Sequence, residues 1–95
     1  MTVGILTIRL LLHDCHSLKQ KRAVVKKILE RTRSRFNFAA SEVEEHDIHH
    51  RATLAFVTVS NDGRFVNSSL DKGLNYIEGL FLAEIVDHGI ELISI

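Results

Sequence analysis

The chain has 95 residues and contains no proline, no tryptophan, one cysteine and only 6% aromatic residues. Each scarcity excludes something. The single thiol, Cys15, cannot close an intramolecular disulfide, so a reduced, cytoplasmic setting is expected. With so few rings, the strand pattern offers no paired surface aromatics of the kind that stack RNA bases on a sheet. There is no CxxC pair, HExxH helix or zinc-finger spacing, no glycine-rich phosphate loop and no oxyanion motif beside a nucleophile, so an enzyme is not expected. Long apolar runs are also missing. The amino-terminal "MTVGILTIRLLLHD" approaches the length of a signal-peptide core but has no basic leader or small-residue cleavage site, and Arg9 interrupts it. A strand is expected there, and no membrane span.

What is present is the composition of a soluble globular chain, 45% hydrophobic and 25% charged, and residues 1–95 are expected to form one domain. A chain this short leaves little room for a deep catalytic cavity unless a second copy adds a wall, so a homodimer is expected. Its interface would be an exposed sheet edge or the meeting of a basic and an acidic side. The formal net charge of zero conceals that asymmetry. Eight of the 12 cations (Lys19, Lys21, Arg22, Lys26, Lys27, Arg31, Arg33, Arg35) lie between positions 19 and 35 against Glu30 alone, so the segment carries +7 and the remainder −7. An anionic partner on one side, or head-to-tail self-association, suits such a division.

Hydrophobic period and turn chemistry give the elements. From Val3 to His13 the even positions Leu6, Ile8, Leu10 and Leu12 are uniformly large and apolar, which is a strand with one face on the core. "SLKQ" forms a capping box at Ser17 and opens a helix whose buried stripe is Leu18, Val25, Ile28, Leu29, Thr32 and Phe36. "FNFAASEVEEHD" suits an exposed edge strand, and "HDIHH" turns it into the strong strand "RATLAFVTVS". "NDG" then opens a second helix with Val66, Leu70, Leu74, Ile77 and Phe81 on one face, weakened by Gly73 and Gly79. "AEIVDHGIELISI" closes the chain as a strand. The order β-α-β-β-α-β with right-handed crossovers predicts an α+β, ferredoxin-like fold: a four-stranded antiparallel sheet, first and third strands central, both helices on one face.

The stretch from Val3 to Asp47, followed by "RATLAFVTVSND", resembles the YlxP-like family of small bacterial proteins, a domain of unknown function. The most specific piece is Ser17-Leu18-Lys19-x-Lys21-Arg22 after an apolar strand, with Arg35-Phe36-Asn37, Glu42-Val43 and Asp47 in support. The resemblance implies a ferredoxin-like fold and supplies no catalytic residue. It also implies a link to RNA or the ribosome, because the family is often encoded beside translation and ribosome-maturation factors. One departure is plain: His49 and His50 stand ahead of Arg51 where the family usually has a tryptophan and a glutamine.

Three functional expectations follow. The first is a non-catalytic module for RNA or a ribosomal particle, with Lys19, Lys21, Arg22, Lys26 and Arg33 following a phosphate backbone along about 26 Å of helix. Against it stands the plain alternative of a solvated basic surface that neutralises acids of the same protein. The second is a divalent-metal site, since the strand directions bring His13, Cys15, His16, His46, Asp47 and His49 to one edge of the sheet and these are zinc, nickel and copper ligands. His88 either joins that edge or sits in mid-strand near Arg9. The third is a domain that binds only protein. Cys15 beside His16 is expected to be a small loop residue rather than a nucleophile.

Overall fold

The computed structural model describes residues 1–95 and has six elements: β1 (Thr2–Leu11), α1 (Leu18–Arg35), β2 (Ala39–Glu44), β3 (Arg51–Ser60), α2 (Gly63–Glu78) and β4 (Glu84–Ser94). The strands form one antiparallel sheet in the order β2-β3-β1-β4, so β1 and β3 are central, as the element order requires. Period two sorts β1 cleanly. Leu6, Ile8 and Leu10 are buried under the helices together with Ala52, Leu54 and Phe56 of β3. Their odd-numbered neighbours point to the other side, which no helix covers.

α1 begins where the capping residues are. The Ser17 hydroxyl accepts from the Gln20 N–H at 3.1 Å, and the Gln20 side chain accepts from the His16 N–H at 2.7 Å, one residue before the expected box partner. α2 begins at Asp62, whose carboxylate accepts from the Arg64 N–H at 2.9 Å. Val66, Leu70, Leu74 and Ile77 are its buried stripe. Phe81 is not part of it: the helix ends at Glu78, Gly79 is its cap rather than an interior weak point, and Phe81 lies in the following loop, 90% exposed. Gly73 faces Phe38 so closely that a Cβ there would stand 2.7 Å from the ring, and glycine is what lets the helix settle on it.

Phe36, Phe38, Phe56 and Tyr76 gather into one aromatic cluster with centroid separations of 5.0 to 6.2 Å. Most of the small aromatic complement is therefore spent on joining the end of α1 to α2 and the sheet. β4 starts at Glu84, and His88 pairs with Ile8 in mid-strand, away from the other histidines. No helix is long and apolar enough to cross a membrane.

Candidate functional site

At about 100° per residue, the helical period separates the cations of α1 into three sets. Lys19, Arg22, Lys26 and Arg33 form one exposed ridge; Lys27, Arg31 and Arg35 form another on the far side of the solvent surface. Lys21 belongs to neither. It falls inside the arc of Val25, Ile28 and Thr32 and is 1% exposed.

The expectation that Lys21 contacts a nucleic acid is therefore corrected. Its ammonium donates hydrogen bonds to the Glu45 carbonyl at 2.6 Å and the Ile48 carbonyl at 2.8 Å, and the Glu42 carboxylate stands 2.8 Å away as its ion-pair partner. A buried lysine must be paired and hydrogen-bonded, and this one is pinned to β2 and to the turn that follows it. Glu42 Oε2 is buried and makes no hydrogen bond, so the charge of Lys21 is its one compensation. Lys21 thus fastens the start of α1 to the β2–β3 turn, where Glu45 holds a left-handed φ of 62°.

The exposed cations are mostly left uncompensated. Lys26 has Glu30 at a loose 3.9 Å, one turn along the helix, and none of the other six has a carboxylate within 4.0 Å. Arg33 donates to the Ala40 carbonyl at 2.9 Å, which orients its guanidinium while leaving the charge unneutralised. Arg35 stacks over the Tyr76 ring at 5.0 Å. Together with Lys72 and Asn75 these two line a groove of about 550 Å³ between the helix ends. This basic-aromatic groove escaped sequence reasoning, because Tyr76 and Lys72 lie some forty positions from Arg35 and only the packing of α2 against α1 joins them. The one available signal was that Tyr76 stands next to Ile77 of an apolar stripe.

The histidine edge gathers ligand types without a converging set. The topology does bring β1's end, the β2–β3 turn and the start of β3 to one side, yet no three His, Cys, Asp or Glu side chains converge there. Each expected ligand has another engagement or points elsewhere. His13 Nε2 lies 2.8 Å from Glu84 Oε1, and Cys15 is buried with its thiol directed to the Ser17 carbonyl at 3.6 Å. His46 Nε2 lies 3.1 Å from the Glu42 carbonyl, while His49 packs edge-on to His50 with ring centroids 5.4 Å apart. His16 and Asp47 are exposed. Adjacent ligands in a short turn fan outward, and nearness along one edge is weaker than the convergence at about 2.0 to 2.3 Å that a metal needs.

Comparison with known proteins agrees with the fold, and neither the family model nor the curated relative carries a named activity. A family model described as "Protein of unknown function (DUF503)" matches residues 3–90. The chain is 32% identical over 76 residues to the uncharacterized protein YlxP of Bacillus subtilis (strain 168), covering 80% of this chain and 83% of that one. Among solved structures it is similar to the structural-genomics protein YJCS, with a TM-score of 0.55 and 16% identity over 97% of this chain and 99% of that one. A de novo designed protein with a ferredoxin fold also has a TM-score of 0.55, at 9% identity over 98% of this chain and 83% of the design. At these identities the structural matches speak for the fold alone.

Proposed function

The chain belongs to the DUF503 family of proteins of unknown function, and from that premise we propose that it is a non-catalytic binding module holding RNA or a ribosomal particle along the outer surface of α1. The observation that carries this is the run of seven exposed cations on one 18-residue helix, six of them with no carboxylate within 4.0 Å. An ordinary solvated helix alternates its signs and pairs them at i,i+4; this one does so only once. Lys19, Arg22, Lys26 and Arg33 are the phosphate-contacting set. Lys21 supports them from below by holding the helix in place.

Arg35 and Tyr76 add a platform on which a base or ribose can stack at the far end of the same surface. Contacts of this kind give affinity that depends on charge and shape rather than on base sequence, so binding is strongly salt-sensitive.

The test is binding of the untagged, EDTA-treated protein to total ribosomal RNA at about 50 and about 300 mM salt, beside the Lys19→Glu, Arg22→Glu, Lys26→Glu triple variant. Wild type is expected to lose roughly tenfold or more in affinity between the two salts, and the triple variant to lose binding at both. Equal behaviour of the two proteins would discard this function and leave α1 as a solvated surface, and a module that binds only protein would take its place.

A further inference from the structure

The second large surface of the molecule is the side of the sheet without helices. Its register lays the residues in rows across the strands. Val59, Val3 and Ile93 make the first row, and Val57 and Ile5 lead the second. Val59 is 56% and Ile93 39% exposed, two large apolar side chains left to water on either side of Val3. Ala55, Thr7 and Gly89 form a third row of small side chains, over which another surface can approach closely. Glu91 closes the second row beside Ile5, and the other charges lie beyond the third, with Arg9 beside Asp87, Glu44 beside Thr53 and Arg51 at the end of β3. None of the cations of α1 lies on this side.

We propose that a second copy of this chain docks on the open face of the sheet, making a face-to-face homodimer. Three observations select this surface and this occupant. Three strands about 30 Å long and a fourth of about 20 Å, about 4.8 Å apart, give roughly 500 Å² on each copy, or roughly 1,000 Å² in total, the lower bound for a specific interface. Both sheet edges are unsuited to self-pairing. β2 is six residues long, irregular between Glu42 and Glu44, and bears only acids; the formal charges of β4 are Glu84, Asp87 and Glu91. Two copies of either edge would set acid against acid. The open face instead has its apolar rows at one end and both signs, Arg9 and Arg51 with Asp87 and Glu44, toward the other, so a second copy set on it can lay apolar rows on apolar rows and cations against acids.

Pairing the basic α1 of one copy with an acidic edge of the next would be head-to-tail and would not close. In the face-to-face dimer the two α1 helices point outward on opposite sides, so each remains free, and the proposal stands or falls independently of RNA binding.

The experiment is sedimentation of the full-length protein over about 1 to 200 µM, at low salt and at about 500 mM salt, with Val59→Lys and Ile93→Lys as separate variants. The expected result is a mass rising toward twice the 10.8 kDa of the chain at both salts, and a monomer for each variant with an unchanged circular dichroism spectrum. Both side chains are exposed, so the fold tolerates the change. A wild type that stays monomeric overturns the proposal and marks the face as the seat of a different protein. So does a dimer that survives both variants, one that dissolves at high salt, or one in which amide exchange slows along β2 or β4.

Discussion

α1 and α2 lie side by side on the same sheet and are held there by opposite means. α2 is placed by shape. Its stripe of Val66, Leu70, Leu74 and Ile77 is buried, and it sits so close to β1 that a Cβ at Gly4 would stand 2.4 Å from Val66 and 2.7 Å from Leu70. α1 buries only Val25 and Ile28 as apolar residues, and the other two buried positions are Lys21 and Thr32. Thr32 satisfies its hydroxyl within the helix, on the Ile28 carbonyl at 2.7 Å, while Lys21 reaches across to β2 and the turn. A helix whose surface is given over to cations has few positions left for apolar contact, and a charged clamp compensates. The two helices therefore differ in what they demand of the rest of the chain: α2 needs a flat, well-packed strand, and α1 needs the β2–β3 turn in one conformation.

That contrast can be broken at four points. Leu70→Ala removes a wholly buried side chain from α2 and is expected to cost about 4 kcal/mol in urea unfolding, from lost burial and the cavity left behind. Lys21→Ala leaves Glu42, 16% exposed in the intact pair, without its partner, and should cost about 3 kcal/mol. Replacing both members, as Lys21→Met with Glu42→Leu, is expected to recover most of that loss; a double variant as unstable as the single one would show that the two turn carbonyls, not the carboxylate, are what matters.

Ser17→Ala removes the cap of α1 and is worth about 1 kcal/mol by the same measurement. Smallest of all, the Lys19→Glu, Arg22→Glu, Lys26→Glu variant should change stability by less than about 0.5 kcal/mol, since none of the three side chains holds the fold. A large destabilisation there would blur the distinction between the inner lysine and the outer cations and weaken any loss of RNA binding as evidence.

Much of the fold was legible because its signals are local. The alternation of Leu6, Ile8 and Leu10, the serine and glutamine around Leu18, and the 3.6-residue spacing from Val66 to Ile77 each define an element without reference to the rest of the chain. Even the fate of Lys21 was partly readable, since the helical period places it among Val25, Ile28 and Thr32. Phe81 shows the limit of that reasoning. It continues the apolar spacing of α2, yet Glu78 and Gly79 end the helix first, and the ring is left in water. Composition at the histidine edge was equally persuasive and equally insufficient: it put ligand types near one another without aiming them.

By itself, then, the sequence determined the order and type of the elements, the topology that follows from that order, and the concentration of charge on one helix. These depend on neighbours within a few positions, where backbone geometry sets which side chains share a face. Tertiary structure alone decided which cation is spent inside the protein, that Arg35 and Tyr76 form one groove, that the histidines do not converge, and that one side of the sheet is left uncovered. Each of those depends on distances between segments far apart in the chain, and a shift of about 2 Å in packing, invisible to any spacing rule, separates a bonded pair from two unrelated side chains.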